Sequence, residues 1–337
     1  LSKIDDVAKL AGVSKGTVSN VFSRKRPISE KVQKRVLEAA KELNYTPNHI
    51  ARSLVTKKTM TISLSMPSAK RISLTTFHTN LINGVITEAS LHNYRILIDT
   101  LAQEELELPF LSGNVVDGVI VLNPKVDDTR LDYLTKYNIP AVVIGEPSAK
   151  YKNLVSYVDN NNQEIVEEVT TYLLKKGHRR ILYLNAPTKM TVSKVREAGF
   201  LQAFADLGIS NNESLIHFKE SLYEDPSQYG YDTVMKYFAA DKDRYTAIIA
   251  DTDKEAIGIC RAFRKLNIKF PDDVAIVALS DDLVLSHELE PPIPTVDMQA
   301  EALGKTSVQM LFHQIKVGDY PEISRAVVKA KFHSREQ

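Results

Sequence analysis

The sequence predicts a small all-α head followed by an α/β body of two doubly wound lobes. Three observations predict it. Apolar residues recur at helical spacing as far as about residue 45, then give way to short β-branched runs alternating with amphipathic segments. The stretch 61–337 holds too much of that alternation for one small sheet. The charge also reverses near residue 60. Residues 1–60 carry 13 Lys and Arg against 5 Asp and Glu, a net of +8; the remainder carries 30 against 37, a net of −7. A basic head on an acidic body points to a polyanionic partner for the head, against the plainer reading of a solvated basic surface.

The head reads as short helices. Ser2 with Asp5 three residues on resembles a capping box, and Ile4, Val7, Ala8 and Ala11 form an apolar stripe. Gly12 ends that helix, because glycine accepts the left-handed backbone of a tight turn. Ser14 caps the next, from Lys15 to about Phe22, and Pro27 keeps it from running on past the basic loop. Ser29 caps a longer helix, Glu30 to Leu43, with Val32, Val36, Leu37, Ala40 and Leu43 as its buried stripe. Thr46 and Pro47 then start a short helix, about 47–55, which is marginal alone. The domain boundary falls at about residue 60.

In the body, strands are expected at 62–66, 95–99, 117–122, 141–144, 156–158, 181–184, 246–250 and 274–279. Helices are expected at 79–92, 161–176, 193–207, 227–238, 254–266 and 299–316. β-Branched runs separated by amphipathic helices argue for parallel sheets covered on both faces, with a ligand between lobes at the strand C-termini.

Composition and motifs exclude several functions. With 43% hydrophobic and 25% charged residues the chain is neither disordered nor collagen-like. No apolar run reaches the length of a membrane span, and the charged N-terminus does not read as a signal peptide, so a cytoplasmic location is expected. Cys260 alone makes no internal disulfide and no Cys-rich metal site. The eight histidines lack ligand spacing, so no metal and no cofactor are expected. There is no dinucleotide or P-loop glycine motif, no G-x-S-x-G elbow and no H-E-x-x-H, which argues against an enzyme.

The informative signal lies in residues 4–23. Ala8 is small enough for two helices to cross closely, Gly12 makes the turn, and Val18 packs beneath the second helix while its neighbours point outward. That is a helix-turn-helix, with an ordinary two-helix corner as the plainer alternative. Its second helix presents Lys15, Gly16, Ser19 and Asn20 to a major groove. Lys15 reaches guanine acceptors or a phosphate, and Asn20 suits an adenine edge. Ser14, Thr17 and the basic groups around Arg24 are expected on phosphates.

Ile4-Asp5-Asp6-Val7-Ala8-Lys9-Leu10-Ala11-Gly12-Val13-Ser14-Lys15-Gly16-Thr17-Val18-Ser19 resembles the headpiece of the LacI/GalR family of bacterial transcription regulators. Leu43 to Leu54 resembles that family's hinge helix. The likeness continues more weakly through 117–120, 177–181, 196–200 and 271–274. It implies a body like periplasmic sugar-binding proteins, with two lobes joined by three chain crossings. The first lobe then takes 61–158 and 294–320, and the second takes 159–293 and 321–337. It further implies a homodimer on near-palindromic operator DNA, with Ala51 and Leu54 of the hinge at the minor groove, and a nucleoid-associated location. A sugar or sugar phosphate bound between the lobes would change DNA affinity. Phe77, His78, Arg196, Thr252 and Asp281 are the implied effector contacts, Arg196 and Asp281 forming a polar clamp and Phe77 an apolar platform.

The chain departs from the family pattern in places. Val55 stands where some members carry a lysine in the minor groove. The stretch Ala278-Leu279-Ser280-Asp281-Asp282 allows two registers. Counting from Val274 puts Ser280 on the ligand-binding aspartate, and counting back from Pro291-Pro292 puts Asp281 there. Asp281 is preferred because sugar hydroxyls need a carboxylate acceptor, with Asp282 as fallback. No leucine-heptad tail follows Phe332, so no C-terminal coiled coil is expected. The expected function is a ligand-responsive DNA-binding repressor of carbohydrate-utilisation genes. The alternatives are a global carbon regulator controlled by a partner protein, and a sugar-binding transport component.

Overall fold

The computed structural model describes residues 2–23, 26–45, 58–66, 74–99, 115–221, 224–282, 285, 288–318 and 322–335. The expected hinge helix and Val55 lie outside the described residues, as do Arg24, Ala51 and Leu54. Among the described residues no helix is long and apolar enough to cross a membrane.

The head holds α1 (Ile4–Ala11), α2 (Lys15–Ser23) and α3 (Glu30–Glu42) around Val7, Ala8, Ala11, Val18, Val21, Val36, Ala39 and Ala40. Two local expectations need correction. The first cap is one residue later than expected: Lys3 precedes α1 and its backbone N–H donates to Asp6 Oδ2 at 2.8 Å. Ser2 instead uses its hydroxyl to donate to the Leu43 carbonyl at 2.7 Å, clasping the two ends of the head. Leu37 is exposed, and Ala39 takes its place in the α3 stripe. Successive helical residues are about 100° apart, so the position after Val36 turns toward solvent.

The body contains two six-stranded sheets. The first comprises β1 (Thr61–Ser65), β2 (Arg95–Asp99), β3 (Gly118–Leu122), β4 (Ala141–Ile144), β5 (Ser156–Asn160) and β11 (Arg325–Val328), in the order β11-β5-β4-β3-β1-β2. The second comprises β6 (Ile181–Asn185), β7 (Leu215–Phe218), β8 (Ala247–Ala250), β9 (Ala275–Ala278), β10 (Thr295–Asp297) and β12 (Lys331–His333), in the order β12-β10-β9-β8-β6-β7. Only the β10–β12 pair is antiparallel among these ladders. The connecting helices are α4 (Thr76–Leu91), α5 (Thr129–Lys136), α6 (Asn162–Lys175), α7 (Thr191–Asp206), α8 (Pro226–Phe238), α9 (Asp253–Leu266) and α10 (Ala300–Val317). Strands buried on both faces, such as β3, β4 and β6, are continuous apolar runs because helices cover each side.

The chain passes between the sheets three times: after β5, after β10 and after β11. Asn160 joins these crossings, its side-chain amide donating to Met298 O at 2.9 Å and Val328 O at 2.8 Å. The lobe edges fall differently from the expectation. β10 belongs to the second sheet, where Val296 and Met298 enter that lobe's core, and β11 lies parallel to β5 in the first. Both strands are only three or four residues long, too short to show a period by which to assign them. α10 nevertheless returns to the first lobe, against α4, through a glycine contact so close that a Cβ on Gly84 would sit 2.1 Å from Glu301 O.

Candidate DNA-reading face and interlobe cleft

The turn between α1 and α2 is built from two residues. Gly12 takes φ +62°, and the Val13 N–H donates to Ala8 O at 3.0 Å. Ala8 and Val18 are buried between the helices, as the spacing predicts. Ser14 caps α2, its Oγ accepting from the Thr17 N–H at 3.1 Å and lying 3.0 Å from the Thr17 hydroxyl. Lys15, Gly16 and Ser19 are exposed, while Thr17 and Asn20 are half-buried. The outer face of α2 is therefore polar, capped and, among the described residues, uncovered. Lys15 pairs with Asp5 at 2.5 Å, both side chains roughly half exposed or more, and such a pair gives way readily to a stronger anion.

The second site follows from the sheet order. In each lobe the chain reverses its direction of winding, between β1 and β3 in the first and between β6 and β8 in the second. In open α/β sheets a ligand binds beyond the strand C-termini at such a point. Arg130 fixes the first rim. It is buried, pairs with Asp128 at 2.7 Å, and donates to the carbonyls of Ser65, Leu122 and Asn123. Burial opposes the Asp128 charge, but the guanidinium outweighs it and holds the carboxyl below its ordinary range.

Phe77 and His78 open α4 on this rim. Phe77 packs against the apolar cores of both lobes, so it lies between them. The His78 ring meets Phe77 edge-on at 5.7 Å, and its Nδ1 accepts from the Thr75 N–H at 3.3 Å and lies 2.8 Å from the Thr75 hydroxyl. Burial lowers the His78 pKa to about 4, with Asp253 pulling the other way and Lys254 adding to the fall. The imidazole is therefore neutral near pH 7.

Arg196 projects from α7 and is 12% exposed. Its Nε donates to Asn162 Oδ1 at 2.9 Å, and its Nη1 pairs with Asp251. Burial works against its charge, but Asp251 and its neighbours outweigh that and raise the pKa further. Asn162 also donates to Asp159 Oδ1 at 2.9 Å, which ties Arg196 to the first crossing. Asp159 is pushed up to about 6, chiefly by burial, against the backbone N–H bonds it accepts. Behind Asp251 lies Glu255, whose Oε2 accepts from the Asp251 N–H at 3.0 Å, with Lys219 Nζ 3.8 Å from its carboxyl. Burial, then Asp251, pushes Glu255 up to about 8.

Arg196 and Asp281 do not bond each other and are held by different partners. Asp281 accepts from the Thr295 hydroxyl at 2.8 Å, on β10, and from Arg335 at 2.9 Å, just beyond β12. Asp282 is the acid that crosses to the first lobe, accepting from the Thr76 hydroxyl at 2.6 Å. Thr76 also meets Asp253 Oδ2 at 2.8 Å, and Asp253 Oδ1 is buried without a hydrogen-bond partner. Thr252 accepts from the Glu255 N–H at 3.2 Å and caps α9. A second tie closes the other side of the cleft, where Val126 N–H donates to Lys189 O at 2.9 Å and Thr191 N–H to Pro124 O at 3.2 Å. Among the described residues no group of three or more His, Cys, Asp or Glu is placed to hold a metal ion.

Sequence reasoning passed over Thr76, Asn162, Asp251 and Asp253. Asp251, Thr252 and Asp253 directly follow the buried run β8, and that position after a central parallel strand was the available signal. Thr76 and Asn162 carry no such mark.

Residues 3–48 match the family described as bacterial regulatory proteins, lacI family, and residues 170–336 match a periplasmic binding protein-like domain. The HTH-type transcriptional regulator CelR of Thermobifida fusca is 30% identical over 99% of this chain and 97% of its own length. The chain belongs to the LacI family. As a LacI-family member it is a DNA-binding transcription regulator and not an enzyme. The HTH-type transcriptional repressor PurR of Photobacterium profundum is also 30% identical, over 94% of this chain and 92% of its own. The structure of a transcriptional regulator CelR–cellobiose complex superposes with a TM-score of 0.73 at 27% identity, covering 99% of this chain and 98% of the other.

Proposed function

We propose that this LacI-family regulator represses carbohydrate-utilisation genes as a cytoplasmic, nucleoid-associated homodimer, and that a small sugar-like effector between its lobes controls its grip on operator DNA. A head of about 1–60 and a body of about 61–337 divide these tasks. Ser14, Lys15, Gly16, Thr17, Ser19, Asn20 and Arg24 meet the major groove and its phosphates, and Ala51 and Leu54 meet the minor groove. The ligand is held by Phe77, His78, Arg196 and Thr252, with Asp282 in place of Asp281 as the acid facing the other lobe.

The observation that carries this reading is the position of Phe77, an aromatic ring in contact with both lobe cores and next in the chain to Thr76, which bonds to the Asp253 and Asp282 carboxylates of the second lobe. A sugar offers hydroxyl pairs and one apolar face, which match that set. CelR, a relative over the whole chain, carries cellobiose in its solved complex. A thermal-shift panel of cellobiose, maltose, their phosphates and free purines tests it. A sugar at a hundred times its dissociation constant stabilises the protein by about 2.7 kcal/mol. Stabilisation by a purine alone would replace the carbohydrate reading.

A further inference from the structure

The second lobe holds a cavity of about 410 Å³ at the end of its sheet remote from the cleft. It opens among residues that precede or begin the strands. Ala275 starts β9, Pro294 directly precedes β10, and His178 stands three residues before β6. Asp251, Asp253 and Asp282, in the cleft, follow the opposite ends of β8 and β9. The gap has a cause in the chain. β10 pairs with β9 through Thr295 and Ala278 alone. Before Thr295 the chain runs Pro291-Pro292-Ile293-Pro294, and proline has no N–H with which to extend the ladder. The start of β9 therefore faces proline rings instead of a paired strand.

The walls are largely rings, Tyr172 and Phe270 with Pro271, Pro292 and Pro294. None of the lining residues is an acid, although the body as a whole is acidic. Lys176, exposed just past α6, supplies the cation, its ammonium 5.1 Å above the Tyr172 ring. His178 Nδ1 lies 3.1 Å from the Thr246 hydroxyl. Burial, then Lys176 and Arg179, lowers the His178 pKa, so the imidazole is neutral near pH 7 and offers a hydrogen bond instead of a charge. Small-molecule sites have this make-up, an apolar hollow of a few hundred Å³ with a few placed polar groups.

We propose that this cavity is a second ligand site, and that its ligand is a small aromatic carboxylate. The ring lies against Phe270 and the prolines, and the carboxylate meets the Lys176 ammonium at the mouth. A sugar does not suit these walls, which offer rings and few partners for its hydroxyls. The site is separate from the cleft, so it stands whether or not the cleft takes a carbohydrate.

Calorimetric titration of the full chain with cinnamate and with its neutral isostere cinnamamide tests this. The parent is expected to bind cinnamate about ten-fold more tightly than the amide, the difference one charge-assisted bond makes. Lys176→Met is expected to lose that preference while holding the amide as the parent does; a merely structural role for Lys176 would weaken both ligands alike. Ala275→Leu, which fills the cavity from β9, is expected to lose both. No heat from cinnamate at millimolar concentration would overturn the proposal. So would cinnamate binding that survives unchanged in both variants, since the ligand then sits elsewhere.

Discussion

Arg196 shows how far one side chain can be committed before any ligand arrives. Asn162 and Asp251 occupy its fork, and both members of the ion pair are nearly buried. Removing one partner of such a pair leaves the other charge stranded. Arg196→Ala is therefore expected to lose about 3–5 kcal/mol of stability in urea unfolding with no ligand present. A loss below about 1 kcal/mol would mean that the pair is solvated in practice. His78 gives a second expectation, in pH. Its folded pKa of about 4 lies below the unfolded value of 6.5, so the stability tied to its neutral form is present above pH 6.5. It is lost as pH falls toward 4, because the unfolded chain takes up the proton first. Chemical denaturation of His78→Asn between pH 7 and pH 4 should show a shallower decline than the parent; an equal slope would assign the acid sensitivity elsewhere. Neither commitment is visible in the sequence, where Arg196 and His78 are read as effector contacts and nothing marks the neighbours that hold them.

At the scale of elements, what the sequence makes legible is what has a period or a stop signal. Gly12, Ser14 and the buried stripe of α1 fix the head's turn, and the apolar runs of β3, β4, β6 and β8 stand out because helices cover both faces. α5 leaves no such mark, because it has only eight residues and one buried member is Arg130, a residue type that reads as surface. The edge strands β7, β11 and β12 and the inner strand β10 leave none either, because three or four residues carry no period. Helix pairing adds a constraint of its own. Gly84 and Gly304 let α4 and α10 cross at backbone contact distance. Gly84→Ala should destabilise the first lobe by about 1–3 kcal/mol, since the obstructing atom is a backbone oxygen that cannot rotate away. Urea unfolding checks this, and an unchanged midpoint would mean that the helices separate freely.

At the scale of the whole molecule, a polar helix face on the head is joined to a cleft in the body. The two lobes share one winding, and Asn160 gathers all three crossings into one hydrogen-bonded knot. Family likeness implies the number of crossings, but no sequence pattern places a single amide among them. The register after β9 shows the same limit: counting from the prolines favours Asp281, whereas Asp282 faces the opposite lobe and Asp281 is held by Arg335. On the proposed function, the regulator depends on α2 reading base edges. Selection from a randomised duplex pool by the full chain and by Asn20→Ala tests this without any knowledge of the effector. A near-palindromic site is expected for the parent, with Asn20→Ala losing preference at one position in each half-site and about 1–3 kcal/mol of affinity. An identical consensus from both proteins, or no enriched site for the parent, would show that α2 does not read the operator.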